Sequence, residues 1–230
     1  MGKANQMINR KLILSTGNIH KVNEIKDILA DMPVKVYSKE DLGLKDLEVD
    51  ENGKTLEENA IKKAMSIYGK SDGIVIADDT GLFVDKLGGR PGVYSSRYSG
   101  EGATYEDNNN KLLNELEGVP LEDRTATFKT VIAIVTENGI VSTVYGECKG
   151  RIGFELKGED GFGYDPLFIV DGFGKTFAEL GEDVKNKISH RAKALEELKK
   201  EIKKLLEDDN IEDICGKWYP WKNKSICQLC

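Results

Sequence analysis

The segment Thr16-Gly17-Asn18-Ile19-His20-Lys21 lies between a short apolar run and a helical pattern. Free N–H groups at a helix N-terminus and a neighbouring ammonium together favour an anion, so this turn suits a phosphate. The same residues also read as a capped turn with a solvated lysine. Two acidic pairs, Asp50-Glu51 and Asp78-Asp79, fall at a loop and at the expected end of a strand. Hard carboxylates gathered at one point suit Mg²⁺, which prefers oxygen ligands and keeps several waters; each pair alone also reads as solvated acids at a turn. In Gly161-Phe162-Gly163-Tyr164-Asp165-Pro166, glycines flank two aromatics just before a strand. Rings held by such backbone can stack on a base, and a buried aromatic turn is the plainer role. Lys185, His190 and Arg191 add donors at the start of the final helix, where Ser189 also reads as a simple N-cap.

Three look-alike motifs fail on spacing. Gly174-Lys175-Thr176 ends like a Walker loop, but Ile169 stands where the loop needs glycine. Gly161-Phe162-Gly163 begins like a dinucleotide fingerprint, yet Pro166 replaces the third glycine and no strand precedes it. Asp79-Thr80-Gly81 spells the triplet of aspartic proteases, whose two carboxylates share a proton and so need a second copy; the chain holds one.

The elements that must position these groups follow from periodicity. Residues 11–15 read as a buried strand, and Val22, Ile25, Ile28 and Leu29 fall at helical spacing behind an Asn18 cap. Thr55-Leu56-Glu57-Glu58 is a capping box, followed by Ala60, Ile61, Ala64, Met65 and Tyr68 as the apolar face of a helix ending near Gly69. Residues 74–77 form an apolar strand that should stop at Asp78. Residues 104–116 read as a third helix. Segments 125–137 and 140–149 are β-rich and joined by Asn138-Gly139, which predicts a two-residue type I′ hairpin. A strand at 167–170 and a helix at 189–206 complete a mixed α/β sheet fold.

Composition narrows the partners. Of 230 residues, 39% are hydrophobic and 32% charged, and the net charge is −7. That field repels nucleic acid, so a polyanion must find a local basic site. The longest aliphatic run, residues 131–135, is far short of the roughly 20 residues that span a bilayer. The first ten residues lack the apolar core of a secretory signal, which predicts a cytoplasmic protein whose four cysteines are thiols or metal ligands.

Taken in order, these segments resemble the inosine triphosphatase, or XTP/dITP diphosphatase, family. The resemblance runs over residues 11–206 and rests on Thr16 to Lys21, Ala77-Asp78-Asp79-Thr80-Gly81, residues 87–99, Gly161 to Pro166 and Ile188-Ser189-His190-Arg191. It implies an elongated two-lobed fold and a homodimeric, Mg²⁺-dependent pyrophosphohydrolase that removes ITP, dITP and XTP. Thr16, Gly17, Asn18, Ile19, His20, Lys21 and Lys185 would hold the phosphates, with Thr80 bonding a phosphate or ribose oxygen. Asp79 would position the metal and the attacking water, with Asp50 or Glu51 opposite it. Phe162, Gly163, Tyr164 and Asp165 would form the base loop, and donors on His190 and Arg191 would read the purine O6. Two other classes fit the motifs: a Maf-like nucleotide pyrophosphatase with a different base preference, and a nucleotide sensor without catalysis.

The chain departs from the family pattern at Thr80, where serine is usual, in a ten-residue leader with an alternative start at Met7, and in an acidic tail over residues 207–230. Cys215, Cys227 and Cys230 of that tail could bind zinc with Cys148, since Cys227 and Cys230 have C-x₂-C spacing. Trp218, Tyr219 and Trp221 could instead pack on a surface, or the tail could be a plain extension.

Overall fold

The computed structural model describes residues 10–47, 49–70 and 72–218, with residues 207–218 as backbone only. The chain order is β1 (Arg10–Leu14), α1 (Ile19–Ile28), β2 (Val34–Ser38), α2 (Leu56–Ile67), β3 (Ile74–Val84), β4 (Pro91–Gly92), α3 (Tyr105–Glu115), β5 (Thr125–Val135), β6 (Val141–Ile152), β7 (Phe168–Val170), α4 (Phe177–Leu180), α5 (Glu182–Ile188) and α6 (His190–Trp218). One mixed sheet runs β2-β1-β3-β5-β6-β7, with β4 on the side of β3. The β1–β2 and β1–β3 pairs are parallel and the rest antiparallel.

Alternation along the strands builds two layers on that sheet. Leu12, Leu14, Ile74, Ile76, Ile132 and Ile134 face α1 and α6. Their neighbours Ile13, Val75, Ala77, Val131, Ala133 and Val135 face α2, which buries Leu56, Ala60, Ala64 and Ile67 against them. Each large aliphatic side chain removed from water contributes roughly 1.5–3 kcal/mol, so this sandwich is the main stabiliser of the lobe. A separate core gathers Leu82, Val84, Phe128, Ile152 and Phe168 with Leu112 of α3 and Leu116 at its C-cap. Strands β3, β5 and β6 run through both lobes, and the sheet between the two cores is where the polar residues sit.

Several expectations change. The strand predicted to stop at Asp78 continues to Val84, because β5 pairs with it through Asp78↔Ile132, Asp79↔Val131 and Thr80↔Thr130. The acids therefore lie in mid-strand and not at its end. The β5–β6 turn is not type I′, since Asn138 lacks the positive φ that turn requires. Gly139 alone is left-handed, at φ 76°, and its N–H bonds the Thr136 carbonyl at 2.9 Å, giving a type I turn closed by a glycine bulge. The buried face of α2 is rotated from the predicted one: Met65 is exposed, while Asn59 and Lys63 point inward. Strand β2 and the short helices α4 and α5 carried too little apolar periodicity to be read from sequence.

Helix α6 runs on to Trp218, so the division at residue 206 falls inside a helix. It sits directly on β6 because residue 146 is glycine: a Cβ there would lie 2.1 Å from the His190 carbonyl oxygen and 2.4 Å from the Ala194 nitrogen. The proposed zinc ligands Cys227 and Cys230, and the side chains of Cys215 and Trp218, lie outside the described residues, as do Tyr219 and Trp221. Among the described residues no helix is long and apolar enough to cross a membrane.

Candidate active site

A cleft of about 500 Å³ opens between the lobes, walled by the 15–21 turn, α2, mid-β3 and the loop carrying Phe162. The turn forms as expected. Asn18 caps α1, its side-chain oxygen accepting from the His20 and Lys21 amides at 3.0 and 3.3 Å. Capping turns the helix end, and with it Lys21, toward the cleft. Ile19 and the His20 ring lie outward, the His20 ring stacked 5.3 Å from Phe162.

Because successive side chains on a strand point to opposite faces, Asp78 and Asp79 meet different partners. Asp78 faces α1 and α6: its Oδ2 lies 3.0 Å from Lys21 Nζ and 3.3 Å from Arg191 Nε. Burial pushes the Asp78 carboxyl up, but the Lys21 and Arg191 charges outweigh it and hold the group well below the usual carboxylate range. Asp79 faces α2: Lys63 donates to Oδ1 at 2.7 Å and Asn59 to Oδ2 at 3.3 Å. Here burial prevails over Lys63, and the carboxyl is raised. Lys63 also donates to Glu51 Oε2 at 3.3 Å, so two carboxylates from different elements share one ammonium. The two acids raise Lys63 despite its burial.

The segment bearing Glu51 is fixed from both sides. Arg97 donates to the Glu51 carbonyl at 2.7 Å, and Asn59 Oδ1 accepts from the Gly53 amide at 2.8 Å. Glu51 faces the cleft, whereas the neighbouring Asp50 is exposed and accepts from Asn52. Of the two acids left open by sequence, Glu51 is therefore the one brought to Asp79.

The base loop is braced as a unit. Asp165 Oδ2 accepts from the Phe162 amide at 2.8 Å, Tyr164 donates its hydroxyl to the Ser95 carbonyl at 2.9 Å, and Asn109 donates to the Gly163 carbonyl at 2.9 Å. Phe162 and Tyr164 line the cleft, and Asp165 and Gly163 stand behind them as support. Thr80 also lines it and shares a 2.8 Å hydrogen bond with Thr130.

Two expected contacts are corrected. Lys185 does not reach the phosphate side of the cleft; it is 3% exposed, lies beneath the Phe162 ring, and is held 2.7 Å from both Glu24 and Asp165. His190 does not face the cleft either. Its ring stacks on Phe128 at 4.5 Å, and burial drives its pKa well down, so it is a neutral aromatic wall behind the cleft. Arg191 does border the cleft, with its guanidinium bound by Glu24, Asp78 and Thr80.

Lys63, Asn59 and Glu24 escape a reading that counts apolar residues, since a polar or charged side chain on a helix looks solvated. The available signal was position: Lys63 falls three residues after Ala60 and four before Ile67, inside the buried stripe. Lys39 and Lys45 add positive charge to the cleft from the segment after β2.

The family model described as the Ham1 family matches residues 12–201. A dITP/XTP pyrophosphatase of Thermoanaerobacter sp. (strain X514) is 56% identical over 198 residues, covering 86% of this chain and 99% of that protein. One of Bacillus subtilis (strain 168) is 47% identical over 201 residues, covering 87% and 99%. The Staphylococcus aureus Ham1 structure superposes with TM-score 0.75 at 38% identity over 84% of this chain and 98% of that one. A HAM1 structure from Coxiella burnetii gives 0.76 at 38% identity over 85% and 99%. The resemblance drawn from the motifs and the mixed α/β fold are thus borne out, and the chain belongs to the Ham1 family.

Proposed function

We propose that this chain hydrolyses deaminated purine nucleoside triphosphates, ITP, dITP and XTP, to the monophosphate and pyrophosphate. The observation that carries the reading is the Glu51–Lys63–Asp79 cluster beside Lys21 in one cleft: acids able to handle water and metal, next to cations able to hold phosphates. The names of the relatives, dITP/XTP pyrophosphatase, support the same reaction.

The residues fit Mg²⁺. Glu51 and Asp79 converge on a single cation position, and although no group of three His, Cys, Asp or Glu gathers among the described residues, Mg²⁺ is commonly held by one or two carboxylates plus substrate phosphates. When bound there, it would neutralise phosphate charge and make a coordinated water more acidic. Asp50 has no place in that pair.

In the proposed reaction Lys21 clamps the phosphates, with Lys39 and Lys45 adding positive charge, which lets an acidic protein hold a tetra-anion. Asp79, more basic than a surface carboxylate because of burial, orients a water and takes its proton as the water oxygen attacks the α phosphorus. The bond from that phosphorus to the bridging oxygen breaks, and pyrophosphate leaves with the electron pair. The base lies against Phe162. Reading of O6 falls to Arg191, since His190 is turned away. Hypoxanthine and xanthine present an acceptor at C6, whereas adenine presents an amine that would face another donor.

The protein is proposed to act as a homodimer in the cytoplasm on free nucleotides, without nucleic acid or membrane. Pyrophosphate release from a panel of triphosphates with Mg²⁺ tests the reading. Turnover of ITP and XTP well above ATP is expected; pyrimidine turnover would point to a Maf-like enzyme, and binding without release to a sensor.

A further inference from the structure

Between the phosphate turn and the base loop runs a continuous buried chain of charges. Lys21 pairs with Asp78 at 3.0 Å, and Asp78 with Arg191 at 3.3 Å. Arg191 pairs with Glu24 Oε2, Glu24 Oε1 with Lys185 at 2.7 Å, and Lys185 with Asp165 at 2.7 Å. Asp165 in turn receives the Phe162 amide. Three cations and three anions alternate, so the chain is neutral only while every member is present. Glu24 is its middle link, its carboxylate paired with both Lys185 and Arg191. It lies on α1, one turn beyond Lys21 and thus on the same rigid helix as the phosphate clamp. The Phe162 ring covers both cations that Glu24 holds, with Lys185 Nζ 4.4 Å and the Arg191 guanidinium carbon 5.7 Å from its centroid.

We propose that Glu24 is a positioning residue for purine selection: through its two carboxylate oxygens it fixes Arg191 and the Phe162 loop in one register relative to the phosphate turn. A base is then accepted only if its C6 edge meets Arg191 while its phosphates sit at Lys21. This rests on the proposed hydrolysis of deaminated purine nucleotides. The geometry favours it over a purely structural role because Glu24 touches no backbone donor of its surroundings; both of its described partners are cations at the base side of the cleft. An amide at this position would present an N–H₂ to one of two donors and hold only the other.

The test measures kcat and KM for ITP and ATP, by pyrophosphate release with Mg²⁺, in wild type, Glu24→Gln and Glu24→Asp. The proposal expects Glu24→Gln to lower the ITP-over-ATP ratio of kcat/KM by about tenfold or more, mainly through KM for ITP. Glu24→Asp, which keeps the charge on a shorter arm, should recover part of the ratio. If Glu24→Gln does not fold, Glu24→Asp and the charge-balanced pair Glu24→Gln with Lys185→Met carry the same comparison, with the ratio again expected to fall. A wild-type ratio in the folded variants, or an equal loss for ITP and ATP, overturns the positioning role while leaving the hydrolysis reading intact. A wild-type protein that hydrolyses neither nucleotide overturns both.

Discussion

Asp78 and Asp79 are adjacent on β3, yet the pleat sends one to the cations of α1 and α6 and the other to Lys63 of α2, and their acidities move in opposite directions. Asp78 is a counterion, locked in its charged form between Lys21 and Arg191. Asp79 keeps a more basic carboxylate in the cleft.

The pair should therefore respond differently to the same substitution. Asp79→Asn is expected to fold, to bind ITP and to lose turnover by about 10³-fold, in the range seen when a catalytic acid–base group is removed. Asp78→Asn leaves Lys21 and Arg191 short of a buried counterion and should cost about 3–5 kcal/mol in urea unfolding at neutral pH. Because the folded Asp78 pKa lies below its unfolded value, that advantage is present above the unfolded carboxylate pKa and shrinks as pH falls through the folded value. A gap between the two proteins that widens on acidification would contradict this.

Lys63→Met should move the acid limb of kcat/KM for ITP to higher pH. Lys63 favours the charged form of Asp79 and opposes the effect of burial; without it the carboxyl is raised further, and a higher pH is needed to keep it ionised. The readout is the position of the limb, whatever the loss in overall rate. A limb that stays in place would remove Asp79 from the titration.

Much of this site was legible from sequence, and what was missed has a common cause. The Thr16 to Lys21 turn, its Asn18 cap and the aromatic loop were readable because their chemistry is local: a cap bonds amides two and three residues on. Lys63 and Glu24 were missed because a buried charge is explained by a partner far along the chain, Asp79 for one and Arg191 for the other. The early end assigned to β3 has the same origin, since the carboxylates that interrupt its apolar run are neutralised by residues 21, 63 and 191. Lys185 and His190 looked like ligand donors for the converse reason: nothing near them in sequence shows that Glu24, Asp165 and Phe128 already engage them.

Gly146→Ala is expected to push the start of α6 off β6, since the new Cβ would meet backbone and not a movable side chain. Overpacking of this kind costs typically about 1–3 kcal/mol. Because Arg191 lies in the displaced turn, the ITP-over-ATP ratio should fall together with the melting temperature. A stable variant with wild-type selectivity would show that the close approach is not needed.

Truncation after Leu206 should leave hydrolysis of ITP largely intact. Every residue placed in the cleft precedes that point, as does Ile202, which is fully buried against the sheet. Loss of turnover in a truncated protein with an unchanged circular dichroism spectrum would assign the tail to the active site.

Hydrolysis of ITP in H₂¹⁸O, followed by mass spectrometry of both products, tests the central claim most directly. Attack of an Asp79-oriented water on the α phosphorus predicts one ¹⁸O in the monophosphate and none in pyrophosphate. Label in pyrophosphate, or release of single phosphates with label, would contradict it.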